Sequence, residues 1–280
     1  MTLSGPTPFR EIGERSAVAD RGAPLSALLA EWTKLSTLTG TWWLLLAVIA
    51  LTAAVGAGAA SAATCQAAGC GQDPAKIVLS GVDLSQAVVA ILAVLAISGE
   101  YSTGMIRTTL TAMPGRTTVL AAKAVVVAGL ALAAGAVGVL ASMLAGRLIL
   151  PGHGFTAAHG YPSLTLMNGP DLRAAAGSAC YLALIALLAL GVAAAVRDSA
   201  VSIGLVLALL YLFPVIASAL SPQWSRHLQQ IGPMSAGLSI QATAGLRSLP
   251  LTPWQGLGVL ALWAAGALLV GGLALRLRDA

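Results

Sequence analysis

Apolar residues in this chain come in long runs separated by short polar stretches, without the stripes or alternation of a soluble domain. The runs cover about 42–60, 84–98, 119–144, 174–196, 200–220 and 254–275. Several approach the roughly 20 residues that an α-helix needs to cross a hydrocarbon core of about 30 Å. The pattern predicts an all-α integral membrane protein with six transmembrane helices. Only Arg197, Asp198 and Ser199 part the fourth run from the fifth, so those two form a tight helical hairpin. The start of the second run has two readings. Asp83 with Gln86 three residues later matches a capping box and would begin a short helix at Leu84. A helix beginning near Ile77 would instead carry Asp83 inside it.

Composition agrees with the run lengths. Hydrophobic residues make up 58% of the chain and charged residues only 9%, against roughly 25% charged in a soluble domain. Residues 1–23 are polar, hold Arg10, Glu11, Glu14, Arg15 and Arg21, and lack the apolar core of a signal peptide. They read as a disordered cytoplasmic tail ahead of a six-helix domain over 24–280. The net charge of +5 raises the question of nucleic acid, but with so few charges their placement matters more. With the termini inside, residues 10, 15, 21, 34, 107, 116, 123, 197, 276 and 278 are cytoplasmic Lys or Arg; residues 76, 147, 173, 226 and 247 face outward. That bias favours a multi-pass protein of the cell membrane with both termini in the cytoplasm, and no nucleic-acid partner is expected.

Two polar segments flank the first spans. Leu25, Leu28, Leu29, Trp32 and Leu35 fall on one helical face, with Lys34 opposite and Glu31 near its edge; Pro24 suits the first turn. Such a helix would lie flat in the lipid interface ahead of Trp42 and Trp43, as a simple anchor or as a moving gate element. The insert 99–116 carries Ile106, Leu110 and Met113 at helical spacing before Pro114 and Gly115 stop it. It is either a polar loop kept out of lipid or a short helix that docks on a cytoplasmic partner.

On the other side, Cys65 and Cys70 would close a small disulfide loop in an oxidising compartment or stand as two free thiols. Cys180 lies within the fourth run as a packing residue. His153, His159 and His227 show no metal-ligand spacing, so no metal is expected. Gly129, Gly135, Gly138, Gly266, Gly271 and Gly272 would permit close helix packing. No lysine follows a glycine, so the chain has no phosphate-binding loop. Apart from Asp83, no span carries a charge at its middle, where ion-driven transport usually places one. No cluster of catalytic residues stands near either interface, so the chain is not expected to be an enzyme.

Three stretches give the chain a resemblance. They are Glu31-Trp32-Thr33-Lys34-Leu35 with Thr41-Trp42-Trp43; Gly99-Glu100-Tyr101 with Gly104-Met105-Ile106-Arg107, Thr109-Leu110, Pro114, Arg116, Leu120, Ala122 and Lys123; and Pro253-Trp254 with the terminal Arg278-Asp279-Ala280. In these the sequence resembles the membrane-spanning permease subunit of ABC-2-type ABC transporters of the actinobacterial kind. Ser36 and Gly115 depart from the arginines usual in that family, and Met105 from its threonine. The resemblance implies an interfacial connecting helix around Glu31, Trp32 and Lys34. It also implies a coupling region containing Glu100, Tyr101, Gly104, Arg107 and Arg116 that docks on a cytoplasmic ABC ATPase subunit. The chain would then hold no cofactor itself, with ATP and Mg on that partner. It would pair with a second permease copy or homologue among membrane lipids and export a substrate. A non-transporting membrane anchor or regulator of a cytoplasmic partner is the alternative.

Overall fold

The computed structural model describes residues 25–65, 70–102, 116–161, 164–165, 168–246 and 249–277, with backbone alone at 100–102 and 116. Among these residues all regular structure is helical: α1 (25–37), α2 (Thr39–Ala62), α3 (Pro74–Leu79), α4 (Val82–Ser102), α5 (Arg116–Ile149), α6 (Gly169–Val196), α7 (Ser199–Ala219), α8 (Pro222–Ile231), α9 (Pro233–Gly237) and α10 (Pro253–Leu277). Six helical segments are long and apolar enough to cross a membrane, α3 and α4 together supplying the second. The expected tail over 1–23 lies outside the described residues.

Helix starts follow local chemistry. Asp73 caps α3 by accepting from the backbone amides of Ala75 and Lys76, and Asp198 caps α7 by accepting from Val201 N at 2.8 Å. Each satisfies an amide that an unfinished helix leaves bare. Proline stands in the first turn of α3, α8 and α9, where its missing N–H costs nothing. Arg197 turns the chain between α6 and α7 with a left-handed φ of 66°, and its guanidinium donates to Ala274 O in the last turn of α10 at 3.1 Å. The two-residue turn therefore also holds the end of the sixth span.

α6 is the central helix. It packs against α4, α5, α7 and α10, and Tyr181, Leu182, Ile185, Leu188 and Leu190 are fully buried along it. α2 closes the bundle against α4 and α5. The outward faces stay apolar: Leu132, Leu140 and Leu144 on α5, Leu205 and Leu212 on α7, and Leu262, Leu269 and Leu273 on α10 are exposed. Such a surface fits a bilayer, where leucine is as well solvated by lipid tails as by a neighbouring helix. Helix pairing then depends on close fit and interhelical hydrogen bonds.

Small residues supply that fit. A methyl group on Gly191 of α6 would come within 2.5 Å of Leu268 N of α10, and one on Gly271 within 2.6 Å of Gly191 O. Gly135 and Gly138 lie against Leu182 and Thr52, whereas Gly129 and Gly266 face open space and Gly272 meets only Leu120 at 3.8 Å. The glycines expected at close contacts thus divide by helix face, which spacing along one helix does not reveal.

Several boundaries differ from the expectation. Of the two starts open for the second span, Leu84 fails and the reading that carries Asp83 inside holds, with the span beginning at Pro74 rather than near Ile77. Asp83 is no cap: the capping aspartate is Asp73, and Gln86 donates to the backbone oxygen of Asp83 at 3.0 Å. The insert expected over 99–116 contributes its first residues to the last turn of α4 and its last to the start of α5. α5 runs on to Ile149, and α6 begins at Gly169. The loop expected over 221–252 contains α8 and α9, each opened by a proline after Ser221 or Gly232.

Candidate functional site

α1 joins the bundle through charge. Its inward face carries Ala27, Glu31 and Leu35 at helical spacing, all buried, while Leu25, Leu29 and Trp32 are exposed. The apolar face expected for this helix is therefore split, and Glu31 stands at the centre of the packed side rather than at an edge. The cause lies on α5, where Lys123, only 2% exposed, pairs with Glu31 Oε2. Lys34, half-buried one turn along α1, reaches Glu31 Oε1 at 3.0 Å. Each carboxylate oxygen thus takes one ammonium. A buried ion survives desolvation only with such pairing. Trp42 donates its indole N–H to Ser36 O at 2.9 Å, which ties the end of α1 to the start of α2.

Lys123 lies seven positions into α5, roughly 10 Å along its axis from Arg116 at 1.5 Å per residue. α4 ends at Ser102, so the joint between α1 and α5 stands two helical turns from the end of the segment that links α4 to α5. Of the expected coupling residues, Glu100 and Tyr101 sit in the last turn of α4, and Arg116 opens α5. Gly104 and Arg107, with the short helix expected around them, lie outside the described residues.

At the opposite end the second span is discontinuous. Ser80 and Gly81 interrupt it between α3 and α4. Gly81 allows the break because its α-carbon stands against the backbone of Thr52 on α2, with no room for a side chain. Side chains from elsewhere take up the carbonyls at the break. Ser142 of α5 donates to Val78 O at 2.7 Å, and Gln241 donates to Leu79 O at 3.4 Å. Thr52 and Ser85 join α2 to α4 by a hydroxyl hydrogen bond of 2.6 Å. Irregular backbone at membrane depth is tolerated where protein groups satisfy it in this way.

One turn further on, Tyr211 of α7 donates to Asp83 O at 2.6 Å, and Tyr181 of α6 donates to the side-chain carbonyl of Gln86. Asp73 binds across the fold, accepting from Thr243 Oγ1 at 2.6 Å and from Ala244 N at 2.9 Å. It thereby straps the segment after α9 onto the start of α3. Nothing in the run pattern singles out Asp73, which lies between runs; for Thr52 and Ser142 the one available signal is a polar residue inside an apolar run.

Cys65 and Cys70 form a disulfide with Cα atoms 5.8 Å apart. Cys65 N donates to His153 O at 2.9 Å, which holds this small loop on the turn after α5. His159 Nδ1 bonds to Gly154 O at 2.7 Å, and His227 lies on α8. Among the described residues no three His, Cys, Asp or Glu side chains converge on a point where they could share a metal ion. Compared with protein-family models and with curated proteins, the chain matches none.

Proposed function

We propose that this chain is the membrane-spanning subunit of an ATP-driven exporter. It would form the substrate path as a dimer and be powered by separate cytoplasmic ATPase subunits. The observation that carries the reading is the Glu31–Lys123 ion pair. Glu31 belongs to the first stretch of the resemblance and Lys123 to the second, and the two are packed together although 92 residues apart. A movement imposed on the segment between α4 and α5 would pass through Lys123 to α1, and from α1 to the first span. On this reading the end bearing α1 faces the cytoplasm, α1 rests in the lipid interface on Leu25, Leu29 and Trp32, and both chain termini are cytoplasmic. ATP and Mg bind the partner, and this chain contributes no catalytic residue.

The test is purification of the tagged full chain in mild detergent from its native host, with identification of what remains bound. The expected result is a stoichiometric ABC ATPase, lost when Glu100 and Arg107 are replaced by alanine. In the reconstituted complex, Glu100→Ala alone should leave ATP hydrolysis uncoupled from transport. A stable chain that retains no ATPase, under conditions that preserve complexes of this kind, overturns the reading and favours a non-transporting anchor or regulator.

A further inference from the structure

A cleft of about 420 Å³ opens beside the break in the second span, bounded by α3, α4, α7 and the segments around α8 and α9. Its chemistry is mixed. Ser80, Asp83 and Gln229 are among its polar lining residues, and Pro214 and Leu251 belong to an apolar wall. Asp83 Oδ1 and Ser80 Oγ are both buried with no hydrogen-bond partner among the described residues. Asp83 also forms no ion pair among them, since the ion pairs described there belong to Glu31. Lys76, the other charged residue among the described ones that line the cleft, is exposed.

An acid placed this way needs a partner. A partly buried carboxylate with no ion pair is unfavourable; the Lys76 ammonium acts on Asp83 only through space, and Oδ1 is left without a hydrogen-bond partner among the described residues. Gln86 and Tyr211 both donate to the Asp83 backbone oxygen, and Gln86 donates also to Met234 Sδ, so neither serves its side chain. A hard metal ion fits poorly, because calcium takes six to eight oxygens, carboxylates prominent among them, and among the described residues Asp83 is the sole carboxylate lining this cleft. The apolar wall and the volume suit an organic molecule. Broken helices with irregular backbone beside a cavity are also where membrane proteins commonly place ligands.

We infer that this cleft binds an organic ammonium with an apolar body, its N–H groups donating to Asp83 and Ser80 and its hydrocarbon lying against Pro214 and Leu251. The claim goes beyond the exporter reading and needs no ATPase, so the two stand or fall separately.

The experiment is equilibrium dialysis of radiolabelled phenethylamine against the full chain in lipid nanodiscs at pH 7. The expected result is saturable binding that excess unlabelled phenethylamine displaces and phenethyl alcohol, its neutral counterpart, does not. Asp83→Asn should weaken binding at least tenfold. Because Asp83 Oδ1 is buried without a hydrogen-bond partner among the described residues, the substitution should leave the unfolding temperature unchanged or raise it, so that weaker binding is not loss of fold. Leu251→Trp, which fills the cleft from its apolar wall and keeps the carboxylate, should weaken binding as well. Absence of saturable binding in the unaltered chain, equal displacement by the alcohol, or undiminished binding in both variants overturns the inference. Equal displacement would mean that the ammonium is not what the site reads, and undiminished binding in both variants that the ligand lies outside this cleft.

Discussion

Glu31 and Lys123 meet inside the protein with their side chains 3% and 2% exposed, one from the short helix ahead of the first span and one from the third span. Lys34 completes the arrangement from the half-exposed side. The pair fixes the rotation of α1 about its own axis. Any other rotation would leave Lys123 buried without a countercharge.

Removing one partner should therefore cost more than removing both. Lys123→Met leaves Glu31 with Lys34 alone, and breaking a buried pair costs about 3–5 kcal/mol; Lys34 should hold the loss near about 3 kcal/mol. The check is thermal unfolding in detergent together with hydrogen exchange over 25–37. Both should recover substantially in the double variant Glu31→Gln with Lys123→Met. A double variant no better than Lys123→Met would show that the charge is not what positions α1.

Asp73 serves two ends at once, as the cap of α3 and as acceptor for Thr243 and Ala244. Asp73→Ala should cost about 1–2 kcal/mol through the lost cap alone. It should also release the strap, so hydrogen exchange should quicken across 242–246 while the centre of α6 stays protected. Uniform loosening of the whole chain would contradict a local clamp.

Gly191 and Gly266 make a matched pair for helix packing. Gly191→Ala drives a methyl group into the backbone of α10, whereas Gly266→Ala adds one in open space. The first should destabilise by about 1–3 kcal/mol, the usual cost of overpacking. The second should be neutral or slightly stabilising, because alanine is the better helix former. Unfolding temperatures measured side by side decide it.

The disulfide closes a loop with a sequence separation of only five, so loop-closure entropy gives it about 2 kcal/mol. Digestion without reduction should recover Cys65 and Cys70 as one cross-linked species, with Cys180 the thiol that alkylates. Both loop thiols alkylating without reductant would remove the bridge. Cys65→Ser with Cys70→Ser should lower stability by that amount and loosen the turn at His153.

Much of the architecture is legible in the chain. Run lengths determine six helices long and apolar enough to cross a bilayer, whose core requires about 20 apolar residues and admits no unpaired backbone. The two residues between α6 and α7, Arg197 and Asp198, determine their hairpin, and Asp198 and the helix-opening prolines mark starts by local chemistry alone. Tertiary structure alone decided which side of each helix faces inward. A span apolar all round carries no stripe to orient it, since lipid and protein neighbours solvate leucine equally well. The inward face is set instead by residues that fit one another across the bundle: Gly191 against α10, Gly81 against Thr52, and Ser142 with Gln241 on the carbonyls of the broken span. Glu31 shows the limit most clearly. On its own helix it reads as an edge charge, and only Lys123, far along the chain and close in space, makes it the buried centre of the joint.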